Sequence, residues 1–95
     1  MIVGTLELSL RLDGCYSLKD KRRILRSLMT RSRTSFQVAI AEVDDQDLWN
    51  SAVLGVACVS NAPRHAESVL QQVLELFDAC PDVAVEAAEK SFRDR

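Results

Sequence analysis

Basic side chains are concentrated in one short stretch of the chain, residues 19–33. Seven lysines and arginines face a single acid there, a local balance of +6, whereas the whole 95-residue chain carries −2. Four of the basic residues recur at helical spacing and are our candidate nucleic-acid-binding residues: Lys19, Arg22, Arg23 and Arg26. A row of cations along one helix face suits the phosphates of a nucleic-acid backbone. The alternative is an ordinary solvated helix face, in which Arg31 and Arg33 favour the helix C-terminus through its dipole.

Residue types that carry catalysis or bind metals are not clustered in the sequence. His65 is the only histidine, and no G-x-S-x-G motif accompanies it, which argues against a Ser-His-Asp triad. The acids Glu42, Asp44, Asp45 and Asp47 do not follow the EF-hand pattern, because the twelfth position from Asp45 is a valine. We therefore expect no catalytic residues, no metal, no cofactor and no enzymatic activity.

Composition and cysteine spacing are typical of a cytosolic protein. No apolar run approaches the roughly 20 residues that a transmembrane helix needs, so we expect no membrane contact. The alternating pattern begins within the first residues and leaves no basic segment typical of a secretory signal. Cys58 lies in an apolar run and is expected to be a small buried hydrophobic residue. Cys15 and Cys80 lie at the ends of predicted helices or strands and are expected to be partly exposed.

The periodicity of apolar residues predicts six secondary-structure elements. Residues 2–12 alternate almost without fault, which indicates a half-buried strand. Ser17 and Asp20 have the spacing of a helix-capping box before an apolar stripe from Leu18 to Met29, and Thr34-Ser35 is expected to close this helix. The remaining predicted elements are a strand beginning at Phe36, a nearly all-apolar strand from residue 49 or 50 to Ser60, a helix around residues 63–79 and a weaker strand from Val83, with a frayed end over residues 90–95.

This order, βαββαβ, predicts a single α+β domain over residues 1–95. Two helices with one apolar face each must cover one face of a four-stranded antiparallel sheet, and helical crossovers are right-handed. The expected architecture is ferredoxin-like, with strand order 4-1-3-2.

The sheet face opposite the helices is the second candidate surface. We expect it to be small and fairly apolar, with these residues: Val3, Thr5, Ala39, Ala41, Val43, Val53, Gly55, Ala57, Val59, Ala84 and Ala88. An uncovered apolar face usually marks an interface, so Ala39, Ala41 and Ala57 are candidate partner-binding residues in a homo-oligomer. Trp49 belongs with them if it is an exposed anchor at the rim; alternatively it packs as core. Base stacking on this face is not expected, since its central strands contain no aromatic residue.

Three segments of the chain resemble one known family. They are Ser17-Leu18-Lys19-Asp20-Lys21-Arg22-Arg23, Gln46-Asp47-Leu48-Trp49 and Val59-Ser60-Asn61. Together they are similar to the YlxP-like family of small uncharacterised bacterial proteins, with Asp20 in place of an expected Glu and Asn50 in place of an expected Gln. The resemblance implies a ferredoxin-like fold and supplies no catalytic residues. Its members tend to be encoded near ribosome-binding factor A and a translation initiation factor, which implies a link to ribosome maturation or translation.

Two hypotheses about function follow from these observations. In the first, the protein is a non-enzymatic cytosolic module that contacts ribosomal or other structured RNA through Lys19, Arg22, Arg23 and Arg26. In the second, it is a homo-oligomerising or protein-binding module that uses the uncovered sheet face. The two surfaces lie on opposite sides of the predicted domain, so the hypotheses are compatible.

Overall fold

Six regular elements follow one another in the predicted order. The computed structural model describes all residues from Met1 to Arg95. The elements are β1 (Ile2–Leu12), α1 (Leu18–Phe36), β2 (Ala39–Asp44), β3 (Ser51–Ser60), α2 (Pro63–Asp78) and β4 (Val83–Asp94). Neither helix is apolar over a length that would span a bilayer.

The four strands form one antiparallel sheet in the order β2-β3-β1-β4. This is the predicted order 4-1-3-2 read from the other edge, so the ferredoxin-like topology is confirmed. β1 lies in the interior of the sheet and pairs along its length with both neighbours, for example Leu8 with Leu54 of β3 and with Ala88 of β4. The strands β2 and β4 are the edges.

The core lies between the sheet and the two helices, and the alternation of β1 supplies five of its 20 residues. Leu6, Leu8, Leu10 and Leu12 are at most 2% exposed, because every second side chain of a strand points to the same face. Gly4 lets α2 approach β1 closely: a Cβ at this position would lie 3.2–3.3 Å from side-chain atoms of α2 and of Cys58. The two helices therefore pack tightly against one face of the sheet only.

The first helix begins as predicted and ends later than predicted. The Ser17 hydroxyl accepts a hydrogen bond from the Asp20 amide at 3.1 Å, and the Asp20 carboxylate accepts one from the Tyr16 amide at 3.2 Å. The prediction that Phe36 starts the second strand is wrong. Phe36 is the last helical residue and packs against the core, and Gln37 ends the helix in a left-handed conformation with φ 54°.

The C-terminal end is a full strand, so the prediction of a frayed end over residues 90–95 is wrong. β4 has 12 residues and pairs with β1 as far as Asp94, opposite Ile2. The register shifts at Ser9 and Leu10 of β1, where β4 contributes one extra residue. Because of this bulge, Ala88 lies opposite Leu8 and points to the helix side, so its predicted place on the open face is wrong.

The three cysteines are free and only one is accessible. Cys58 is buried as predicted, and burial raises the pKa of its thiol. Cys15 is 1% exposed and its thiol donates to the carbonyl of Ser17, so the expectation that it is partly exposed is wrong. Only Cys80 is partly exposed.

Candidate functional site

The four predicted nucleic-acid-binding residues lie together on the outer side of α1. Lys19, Arg22, Arg23 and Arg26 are all exposed, and with Asp20, Ser27, Thr30 and Arg31 they line one open depression that contains no hydrophobic residue. We call this surface the basic face. Its only ion pair joins Arg23 to Asp20 at 3.8 Å. Exposed pairs of this kind contribute about 0–1 kcal/mol, so all four cations remain free to meet an external anion.

Lys21 differs from its basic neighbours because its side chain is buried. Its ammonium donates to the carbonyls of Asp45 at 2.6 Å and Leu48 at 2.5 Å, and lies 2.7 Å from Oε2 of Glu42. The residue is 1% exposed, whereas an unpaired lysine is almost never fully buried. No other donor reaches the buried Oε2 of Glu42, so each charge depends on the other.

Lys21 is one of the seven basic residues of the segment, but its role inside the protein is not among the predictions from the sequence. A signal was present: Lys21 lies three, four and seven residues before Ile24, Leu25 and Leu28, all of them buried. This spacing places a lysine in the middle of the apolar stripe. The partner carbonyls are 24 and 27 residues away in the chain, however, and local spacing does not indicate them.

Arg33 is also occupied within the protein. Its guanidinium donates to the carbonyl of Ile40 at 2.8 Å, which ties the end of α1 to the edge strand β2. Lys21 and Arg33 thus anchor both ends of the helix to β2 and the loop after it. The free basic charge consequently lies on the outer side of α1.

The loop of residues 45–50 between β2 and β3 is held in place from several sides. Asp45 adopts a left-handed conformation with φ 61°, and its carboxylate accepts a hydrogen bond from the Ser51 hydroxyl at 2.8 Å. The Leu48 amide donates to the Asp45 carbonyl at 3.0 Å. Leu48 and Trp49 are nevertheless 49% and 45% exposed, so of the two alternatives for Trp49 the structure favours the exposed one.

The acids near this loop do not assemble a metal centre. Nowhere in the structure do three or more histidine, cysteine, aspartate or glutamate side chains converge in a way that could hold an ion. His65, the only histidine, is exposed on α2. Asp45 and Glu42 act instead as local partners for Ser51 and Lys21.

The open sheet face is apolar on one half only. Over β2 and β3, Ala39 and Ala41 are exposed, Ala57 is partly exposed, and Val43 and Val59 are 53% and 68% exposed. No segment of the chain folds back over this half, since the C-terminal residues pair at the edge of the sheet. We call it the apolar half-face.

The other half of the open face is charged, which corrects the expectation that this face is fairly apolar as a whole. Arg11 forms ion pairs with Asp13 at 2.7 Å and Glu86 at 3.3 Å, and the hydrogen bond from Arg11 lowers the pKa of the Asp13 carboxyl. Glu7 and Glu89 stand opposite each other on β1 and β4. These charges limit the apolar surface to β2, β3 and the adjoining side of β1.

Comparisons with known proteins agree with this fold. The profile of the family described as "Protein of unknown function (DUF503)" matches residues 3–90. The chain is 34% identical over 82 residues to the "Uncharacterized protein YlxP" of Bacillus subtilis, covering 86% of this chain and 89% of that protein.

Two solved structures are similar in fold at low sequence identity. One is a de novo designed protein with a ferredoxin fold, at a TM-score of 0.58 and 11% identity, covering 100% of this chain and 88% of the other. The other is a putative antibiotic biosynthesis monooxygenase from Chloroflexus aurantiacus, at a TM-score of 0.57 and 13% identity, covering 98% and 94%. At these identities the likeness shows the ferredoxin-like fold and says nothing of activity.

Proposed function

Since this chain belongs to the YlxP-like family of proteins of unknown function (DUF503), we propose its role from its own surfaces: a non-enzymatic cytoplasmic module that contacts structured RNA. The contact is made by the basic face, with Lys19, Arg22, Arg23 and Arg26 on backbone phosphates. The implied link of YlxP-like proteins to ribosome maturation or translation makes ribosomal RNA the first RNA to test.

The observation that carries this proposal is the free state of these four cations. Lys21 and Arg33, in the same segment, are bonded inside the protein, whereas the four are exposed and meet only one weak internal partner. From Lys19 to Arg26 the helix rises by about 10 Å, a length along which several phosphates of one strand fit. Arginine additionally binds phosphate through two parallel hydrogen bonds.

The charge of the remaining surface restricts how RNA approaches. The 80 residues outside 19–33 carry −8, which is the difference between −2 for the chain and +6 for that segment. These acids repel a nucleic acid laid over the whole molecule. We therefore propose contact along the edge formed by α1, with one segment of a folded RNA.

The test is the salt dependence of binding to fragments of ribosomal RNA. If four phosphates are engaged, the logarithm of affinity falls with the logarithm of salt concentration at a slope of roughly −3 to −4. The variant Lys19→Glu/Arg22→Glu/Arg23→Glu/Arg26→Glu is expected to lose this binding, with its fold checked by circular dichroism. The matched control is reversal of arginines elsewhere on the surface, namely Arg64, Arg93 and Arg95, which is expected to leave the slope unchanged. A flat salt response, or equal loss in both variants, contradicts the proposal.

A second function, self-association, is favoured by the apolar half-face. Val43 and Val59 expose more than half of their surface among small residues on a sheet that nothing in the chain covers. Two copies meeting through this half would bury those side chains. Ala39→Lys or Ala57→Lys is then expected to lower the mass measured by light scattering, whereas Ala84→Lys on the charged half is not. A monomeric wild-type protein would exclude this function.

A further inference from the structure

Two exposed aromatic side chains lie at the end of the molecule where α1 begins. Tyr16, immediately before the helix cap Ser17, is 82% exposed, and Trp49 in the loop between β2 and β3 is 45% exposed. The remaining aromatics are placed differently. Phe77 is buried, Phe36 is partly buried, and Phe92 lies opposite Gly4, toward the other end of β1.

Backbone contacts bring the two aromatic positions to the same end of the basic face. The Leu12 amide donates to the carbonyl of Asn50 at 2.9 Å, four residues before Tyr16. Lys21, in the first turns of α1, donates to the carbonyl of Leu48. Both chain neighbours of Trp49 are thereby fixed, one to the end of β1 and one to α1.

We infer that Tyr16 and Trp49 form a stacking site for unpaired nucleobases beside the basic face. This rests on the proposed RNA contact and names its substrate class: a structured RNA that presents unpaired bases next to a stem. The phosphates of the strand lie along α1, and bases released from the stack lie against the two aromatic rings. Bases that are already unpaired stack on aromatic side chains without the cost of opening a duplex.

The anchored loop makes Trp49 suitable for this role. A ring on a free loop would lose conformational entropy on binding, whereas the backbone on either side of Trp49 is already held by hydrogen bonds. Lys21 is a positioning residue in this site. Its ammonium is buried under the loop and contacts no external phosphate, so its effect on RNA passes through the orientation of Trp49.

The test compares an RNA hairpin that has an unpaired loop with a blunt duplex of the same stem sequence. Trp49 is the only tryptophan, so its fluorescence reports the site directly. We expect the hairpin to quench it and the duplex not to. Trp49→Ala is expected to weaken hairpin binding about tenfold, in line with the loss of one stacked base, and to leave duplex binding unchanged.

Three variants make the result specific. Trp49→Phe retains an aromatic ring and is expected to restore most of the hairpin affinity, whereas Tyr16→Ala is expected to reduce it as Trp49→Ala does. Phe92→Ala removes an exposed aromatic side chain away from the site and is the matched control, expected to have no effect.

The outcomes separate this inference from the proposal on which it rests. Equal, salt-dependent binding of hairpin and duplex without quenching overturns the stacking site and leaves RNA contact by the basic face standing. Absence of binding to either RNA overturns both. Quenching that persists when the hairpin loop consists of abasic nucleotides also overturns the stacking site, because no base is then available.

Discussion

Replacing Lys21 by methionine is expected to destabilise the protein more than the same replacement of any other lysine or arginine in residues 19–33. The substitution keeps most of the side-chain volume but removes the ammonium that bonds the carbonyls of Asp45 and Leu48 and neutralises Glu42. Breaking one side of a buried ion pair costs about 3–5 kcal/mol. The Glu42 side chain is 23% exposed and water reaches part of it, so we expect the lower end, about 3 kcal/mol.

That loss is a large fraction of what a protein of this size possesses. A 95-residue protein has a free energy of unfolding of about 5–14 kcal/mol. For a domain of this length, 3 kcal/mol corresponds to a fall in Tm of about 12–24 °C. Urea unfolding followed by circular dichroism measures the change, and the fluorescence anisotropy of Trp49 is expected to fall because its loop is released.

Matched variants distinguish the buried pair from a general effect of lost charge. Lys19→Met removes an exposed lysine two residues away and is expected to change stability by no more than about 0.5 kcal/mol. Lys21→Met combined with Glu42→Leu is expected to recover about 1–3 kcal/mol relative to the sum of the two single variants, since neither charge is then left alone. Equal stability of Lys21→Met and Lys19→Met would refute the reasoning.

Three further predictions concern other elements. Ser17→Ala removes the acceptor of the N-cap hydrogen bond and is expected to cost about 1 kcal/mol in urea unfolding; no change would mean that the cap bond contributes nothing. Arg11→Met is expected to raise the pKa of Asp13 in an NMR titration, because the hydrogen bond from Arg11 holds it below its ordinary value. A lowered folded pKa stabilises the protein above the ordinary pKa, and this contribution is lost as the pH falls through the lowered value; the difference between variant and wild type should therefore vanish in acid. Cys80 is expected to react first with a thiol reagent under native conditions, as read by mass spectrometry, and earlier labelling of either buried cysteine would contradict the packing.

Most of the fold could be predicted from patterns among residues that lie close together in the chain. The alternation of β1, the Ser17 cap and the apolar stripes predicted the element order, and the right-handed crossover rule reduces the possible arrangements of these elements to a few. The exposed positions of Lys19, Arg22, Arg23 and Arg26 followed from helical spacing, which is also local.

Three features depended on contacts that spacing does not encode. β4 continues to Asp94 because β1 offers a partner for every residue except the bulged Glu86, although the sequence of β4 is rich in charges. The bulge opposite Ser9 and Leu10 then decides that Ala88 points to the helix side, where it stays exposed at the sheet edge, and that Glu89 points to the open face. A strand boundary and a register are set by the neighbouring strand, which local propensity does not describe.

The burial of Lys21 likewise depends partly on the local sequence and partly on the tertiary structure. The sequence by itself determined that a lysine stands in an apolar stripe, between positions that must face the core. Only the tertiary structure decided that Glu42 and two loop carbonyls would meet its ammonium there, since these partners lie more than 20 residues away. A buried charge is stable only with partners, and the folded chain supplies them from β2 and the loop after it.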